Sequence, residues 1–446
     1  MIVPQHASSS AAATGAQQAT AQAAVAPAVP PPAAAVSRRS ALLGASAAVA
    51  LPSFAPPTRR AIAAAPVPAP YCGVAPSVPN WAYSVPWHES SSLAASTWYR
   101  DVNGPPAPLA TPGRPFDPKK LPLLIVHGGP GLPSDYLFPL ELLAGAGRRI
   151  IFYDQAGCGR SAGVHAADGA SGGALDFFVA ELRRLVDNEL GLRNQPFHLL
   201  GHGWGGILAL EAAARSGDQL RVKGIVAAST PASYSDLIAG RRAAARRALG
   251  EEGAAKLERA DAALADAPSA AAATPDQAAL QELKALATAY DGAVVCRALA
   301  GGGAVYDPTG AKACVAASRA ARARPTLVAG SGAGAGASGA ALSRRLNGGR
   351  FFQEAGELQG WRAPALPEGV SVLATRGEFD EVPESSADAL ASSVSSPSMG
   401  GGLSRSRTFA GAGSFAHIDA WESYVTEVER WLSAVEGSDV SATVGA

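Results

Sequence analysis

The stretch FHLLGHGWGGILALEAAA, residues 197–214, constrains the fold of this chain more than any other. His198, Leu199 and Leu200, behind Phe197, form a mostly apolar run that enters a cluster of glycines (Gly201, Gly203, Gly205, Gly206) and leaves through Ile207, Leu208, Leu210 and a run of alanines. A short apolar run bounded by glycine reads as a buried strand, and the alanine-rich segment beyond it as a helix. The unit is strand, sharp turn, helix. Alone, the same letters describe an ordinary glycine-rich turn, so the segments around it have to decide.

With 446 residues, of which 48% are hydrophobic, the chain can bury a sizeable core as one large domain or two. Lys plus Arg and Asp plus Glu are equal at 37 each, which argues against a nucleic-acid surface or an acidic-lipid binder, since both need a basic excess. Cys72, Cys158, Cys296 and Cys314 are scattered, with no C-x-x-C pair and no histidine at zinc spacing, so no metal is expected. Pairing of Cys296 with Cys314 depends on compartment and stays open.

Residues 1–88 hold no Asp or Glu, and their only formal charges are Arg38, Arg39, Arg59 and Arg60. Such a segment is expected not to fold alone and has the composition of an organelle targeting peptide. Ser37-Arg38-Arg39-Ser40, the apolar run 41–54 and the small residues 61–65 resemble a twin-arginine export signal behind a transit peptide. That reading sends the mature chain to a chloroplast, and with both signals to the thylakoid lumen. The alternative is an Ala-rich chloroplast or mitochondrial presequence. The apolar run is too short for a membrane span, which takes about 20 residues.

Further along, residues 93–102 are expected to form a strand or hairpin, and residues 121–126 a strand that ends in His127-Gly128-Gly129-Pro130-Gly131. A helix-like segment, 136–144, precedes a strand at 149–153 that runs into Asp154-Gln155-Ala156-Gly157-Cys158-Gly159-Arg160-Ser161. Residues 176–190 read as a helix with Phe177, Phe178, Leu182 and Leu185 on one side, and residues 222–228 as a strand. From residue 234 to about 362 long Ala/Arg/Glu/Leu helices replace the strands, interrupted by glycine-rich stretches at 301–312 and 330–341. Strands resume at 369–375 before Arg376-Gly377-Glu378-Phe379-Asp380-Glu381-Val382-Pro383, and a helix is expected at 387–393. A short strand at 408–409 leads to Gly413-Ser414-Phe415-Ala416-His417 and a final helix, 420–435.

HGGPG, DQxGxGxS and GHxWGG, in this order and on strand ends, resemble the proline iminopeptidases and their tricorn-interacting relatives, serine peptidases of the α/β-hydrolase fold. The resemblance implies an α/β architecture with a mostly parallel central sheet, helices on both faces and an inserted α-helical cap. It divides the chain into a disordered targeting presequence (1–65), a first core part (66–232), the cap (233–362), a second core part (363–436) and a disordered tail (437–446). It also makes residues 201–205 the nucleophile elbow, the G-x-S-x-G turn that holds the attacking Ser above the sheet. Here the central residue is Gly203.

On the same resemblance Asp380 is the acid of the triad, His417 the general base, and the backbone N–H groups of Gly129 and Trp204 the oxyanion hole. The family's cap grips the free N-terminus of a peptide through acidic side chains, for which Glu251, Glu252 and Glu282 are the candidates; a solvated helix face is the other reading of each. No cofactor and no metal are implied, and the expected ligand is a small peptide or an N-terminal amine. Losing a triad Ser costs on the order of 10⁶ in turnover. Cys158 and Ser161 lie on a different loop, His202 reads as structural, and a water in the space left at Gly203 offers only slow hydrolysis. Two functions follow: an impaired peptidase that would release N-terminal proline or small residues, or a silent relative that binds peptides or N-terminal amines without cutting them.

Overall fold

A computed structural model describes residues 81–86, 96–103, 117–129, 132–161, 173–266, 277–297, 351–393 and 403–443. The expected presequence 1–65 and the glycine-rich stretches 301–312 and 330–341 lie outside the described residues.

The strands are β1 (Trp81–Pro86), β2 (Ser96–Val102), β3 (Leu123–Val126), β4 (Ile150–Tyr153), β5 (Phe197–His202), β6 (Val222–Ala228), β7 (Ser371–Gly377) and β8 (Arg405–Phe409). They form one sheet in the order β1-β2-β4-β3-β5-β6-β7-β8. β1 and β2 pair antiparallel, β2 joins β4 antiparallel, and every later pair is parallel. Parallel strands need crossover connections, which place helices on both faces and bury the central strands completely. β3, β4 and β5 are accordingly buried at every position, and β3 and β4 read as unbroken apolar runs, while β5 carries His198 and His202 among its apolar residues.

Alternation along these strands splits the core in two. Leu124, Val126, Ile151, Tyr153, Leu199 and Ile225 share one cluster with α1 (Ala174–Arg184) and α2 (Trp204–Ser216). Leu123, Ile125, Ile150, Phe152, Leu200 and Val226 share the other with the 3-10 helix Ser134–Ala146 and the C-terminal helix. Between β6 and β7 stand α3 (Tyr234–Asp266), kinked at Gly250 (φ 70°), and α4 (Gln277–Tyr290). Their own apolar cluster is small: Ala244, Ala245, Ala254, Tyr290, Val294 and Phe352. α5 (Glu384–Ser393) follows β7, and α6 (Trp421–Thr443) closes the described chain.

The structure departs from the expected elements in places. β1 lies upstream of the strand expected at 93–102 and is the antiparallel partner of β2. Residues 134–146 are a 3-10 helix around Pro139, whose missing N–H removes an α-helical bond. α1 ends at Arg184 in a π-helical turn, Leu185–Glu189. α6 continues to Thr443, so residues 437–443 are helical and not a disordered tail. Nothing in Ser438 to Thr443 breaks a helix, and the preceding turn is anchored at Glu436.

That anchor is a charged cluster under the sheet. The fully buried Arg148 guanidinium bonds the Leu121 carbonyl (2.7 Å), Glu429 Oε2 (3.1 Å) and Glu436. Glu436 also accepts from Leu121 N–H (2.9 Å) and pairs with His198 Nε2 (3.2 Å), while Lys120 Nζ reaches Glu429 (2.6 Å). α6 is thereby bolted to β5 and to the strand entries of β3 and β4.

Candidate functional site

Gly203 caps α2 with φ 54° and ψ −115°, the strained strand-to-helix turn on which an elbow depends. Its neighbours are glycine because helix and sheet touch there. A Cβ on Gly205 would lie 2.1 Å from the Val126 carbonyl oxygen, and one on Gly206 would lie 1.8 Å from Thr230 Oγ1. At Gly203 a Cβ would meet nothing within 4 Å. Packing therefore explains Gly205 and Gly206 but not Gly203, where a side chain has room.

Hydrogen bonds knit the loops around this turn together. Gln155 N–H donates to His127 Nε2 (2.8 Å), Gln155 Nε2 to the His127 carbonyl (2.7 Å), and Trp204 Nε1 to Gln155 Oε1 (2.8 Å). The buried Asp154 carboxylate accepts from Ser134 N–H and Oγ and from Arg160. Ser161 Oγ donates to the Asp154 carbonyl (2.6 Å) and accepts from Trp98 N–H (2.8 Å), so its hydroxyl is structural. The Cys158 thiol is buried on the same loop and points to the Ala156 carbonyl (3.8 Å). Gly129 (φ 126°) and Trp204 carry backbone N–H groups without a partner among the described residues, whereas Gly128 N–H is taken by Tyr136 Oη (2.7 Å).

Tyr136 continues the network. His202 Nε2 bonds the Ser414 carbonyl (3.0 Å), which can only accept, so the proton of this ring is on Nε2 and Nδ1 accepts from Tyr136 Oη (2.9 Å). Burial pushes the pKa of His202 down to about 4, against the bond to Ser414, and the ring is neutral. Both nitrogens are occupied, which makes His202 structural.

Asp380 and His417 are not paired. Asp380 sits on the turn after β7 and accepts from Ser229 Oγ (2.7 Å), Ser414 Oγ (2.8 Å), Val382 N–H (3.0 Å) and Gly377 N–H (3.3 Å). Burial raises its pKa, and the Ser229 bond leads the effects that lower it. His417 lies in a helical turn, Ala416–Asp419, and its Nε2 donates to the Tyr136 carbonyl (3.0 Å). A base in a triad needs the reverse: a proton on Nδ1 held by the acid, and an Nε2 lone pair facing the nucleophile. The sequence expectation of an Asp380–His417 couple is corrected on this point, because two serine hydroxyls fill the acid and a main-chain carbonyl holds the base.

The His417 ring lies among Tyr136, His202, Phe415 and Tyr424, with centroids 5.8, 5.6, 5.5 and 6.1 Å away. Burial, with His202 adding to it, pushes its pKa down to about 3. A histidine whose folded pKa lies below its unfolded value of 6.5 binds its proton more readily when unfolded. Each such ring therefore removes stability as pH falls below 6.5. His417→Gln takes this contribution away. Its stability between about pH 6 and about pH 4 is expected to fall less steeply than that of the unaltered chain, by about 1.4 kcal/mol per pH unit. Urea unfolding of both proteins across this range checks it, and parallel profiles would contradict a buried neutral His417.

Glu251, Glu252 and Glu282 do not converge on the elbow. Their side chains are 85%, 85% and 56% exposed, and they pair with Arg246, Lys256 and Lys256 on the surface of the helical insertion. That is the solvated-face reading, as a kinked helix pair with a small core leaves its charges outside. The acidic side chain that sits beside Asp380 is Glu381, bonded by Arg241 (3.1 Å) and by Tyr290 Oη (3.1 Å). Glu381, Ser229, Ser414 and Tyr136 were not singled out from the sequence. Only Glu381 and Ser414 carried a signal, by standing inside the segments around Asp380 and His417.

A family profile described as alpha/beta hydrolase fold matches residues 122–292. The proline iminopeptidase of Levilactobacillus brevis is 40% identical over 121 residues, covering 26% of this chain and 34% of that protein. The proline iminopeptidase of Saccharolobus solfataricus is 40% identical over 99 residues, 22% of this chain and 30% of that one. The chain thus matches about a third of the length of these relatives. The crystal structure of the proline iminopeptidase of Mycobacterium smegmatis superposes with a TM-score of 0.55 at 23% identity, over 80% of this chain and 99% of that one. This likeness shows the fold. The chain has the α/β-hydrolase fold and is similar over part of its length to the proline iminopeptidases.

Proposed function

We propose that this chain is a silent relative of the proline iminopeptidases, which keeps the elbow and binds small peptides or N-terminal amines without forming an acyl-enzyme. The observation that carries the reading is Gly203: the turn holds the elbow conformation with open space where a side chain would stand, and no attacking atom is there. The tied Nε2 of His417 and the filled carboxylate of Asp380 support it from the other half of the site. The N–H groups of Gly129 and Trp204, without a partner among the described residues, suit a ligand carbonyl or carboxylate, since fixed main-chain donors need no reorganisation to hold an oxygen.

The other reading is a peptidase that releases N-terminal proline. It needs a substitute nucleophile, and Ser161 is spent on the Asp154 loop. Calorimetric titration of the full chain with the dipeptide prolyl-alanine tests the proposal. Saturable binding with the peptide recovered whole is expected. Absence of binding would remove the binding role, and release of free proline would restore the peptidase.

A further inference from the structure

We propose that Ser229 and Ser414 are positioning residues that hold Asp380 in a closed set of hydrogen bonds away from His417, so that the base is disarmed independently of residue 203. The proposal rests on the silent reading above and concerns the other half of the same site.

An ionised carboxylate offers about four lone-pair positions. Val382 N–H and Gly377 N–H fill two of them from the turn's own backbone; Ser229 Oγ fills a third, on Oδ2, and Ser414 Oγ the fourth, on Oδ1. No position remains for an imidazole N–H. The hydroxyls are held from several sides. Ser229 stands at the end of β6 at φ 48°, a region that disfavours any residue with a Cβ. Its N–H is fixed to the Thr375 carbonyl (2.7 Å), and its Oγ lies equally close to the Ser414 carbonyl (2.7 Å), which shares with Asp380 the single hydroxyl proton. Ser414 N–H donates to the Val294 carbonyl of the helical insertion (2.8 Å), and its own carbonyl takes the His202 proton.

A strained, non-glycine residue persists where its surroundings over-determine it. Here those surroundings are the acid, the elbow histidine and the insertion. Removing both hydroxyls leaves a buried carboxylate short of two donors, a costly state that draws in the next available one. His417 is three residues beyond Ser414 in the same loop, and its Nδ1 carries no hydrogen bond among the described residues.

Nitrogen-15 NMR of the histidines in the full chain tests this without any turnover. In the unaltered protein His417 is expected as the Nε2–H tautomer. In Ser229→Gly/Ser414→Ala it is expected to become the Nδ1–H tautomer, with its titration midpoint raised from about 3 by at least tenfold in proton affinity. An unchanged tautomer and midpoint would overturn the proposal. Should the double variant not fold, Ser414→Ala alone frees one carboxylate position and is read the same way.

In a Gly203→Ser background, adding Ser229→Gly and Ser414→Ala is expected to speed acylation by p-nitrophenyl acetate on the order of 10². Equal acylation with and without the two changes would also overturn it. Turnover by the unaltered chain would instead strike at the silent reading, leaving the NMR comparison to decide this proposal.

Discussion

Gly203→Ser is expected to restore a serine at the elbow and still fall short of a working serine hydrolase by on the order of 10⁴ in turnover. The added side chain meets no atom within 4 Å of its Cβ, and the glycine already holds the turn that the serine would need. The deficit comes from the base. With its proton on Nε2 and donated to the Tyr136 carbonyl, His417 has no lone pair on Nε2, the nitrogen that a triad aims at its nucleophile, and Asp380 cannot correct the tautomer while Ser229 and Ser414 fill it. A wrong tautomer in an otherwise intact triad carries a penalty of that size. Burst and steady-state kinetics of the variant with p-nitrophenyl acetate give the result. Turnover at the level of an ordinary serine hydrolase would show that His417 reorients freely, and that glycine alone silences the natural chain.

Arg148→Met is expected to destabilise the fold by about 3–5 kcal/mol. Methionine fills much of the volume, so the loss is electrostatic. Glu429 and Glu436 would face each other across a site only 18% and 14% exposed, with Lys120 and Ser433 left to the first and His198 and the Leu121 N–H to the second. Arg148 also satisfies the Leu121 carbonyl at the entry to β3, and that acceptor would be orphaned. Glu436, whose pKa is lowered to about 2, bonded to His198 and Arg148, contributes stability above its unfolded value of 4.5 that is lost as pH falls toward 2. The variant should lose the part of this acid-side dependence that Arg148 supplies, while the His198 bond keeps the rest. Urea unfolding at neutral pH measures the main effect, and a change within about 0.5 kcal/mol, the range of ordinary surface substitutions, would contradict a structural role for the cluster.

Much of the site's framework was legible because it is written in backbone requirements. Glycine at 201, 205 and 206 announced a helix lying against a sheet, and the contacts to Val126 and Thr230 are that closeness. Residues 222–228 read as a strand and are one, since a parallel strand buried on both faces leaves an apolar run, here interrupted only by Lys223 near its start. Asp380 falls on the turn after β7, where a sharp turn leaves polar residues between apolar elements, whereas His417 lies beyond β8 in a helical turn. What pairs with them was not legible. Whether a carboxylate meets an imidazole or two hydroxyls is decided by rotamers and by loops that meet only in space, such as 229, 380 and 414. The three glutamates failed for a related reason: charge on a helix says nothing about which face packing turns outward, on α3 beyond its kink at Gly250 or on α4. β1 was missed because Pro79 and Pro86 bracket a run too short to stand out, although Trp81, Tyr83 and Val85 alternate with smaller residues, and its pairing with β2 is what makes it a strand.

The most direct test of the account is hydrolysis of prolyl 2-naphthylamide by the unaltered full chain, run beside His417→Ala and Asp380→Asn. The silent site predicts that the three release naphthylamine at the same background rate. Enzyme-like release by the unaltered chain that either substitution abolishes would contradict it, and would mean that an attacking group other than residue 203 works with this acid and this base.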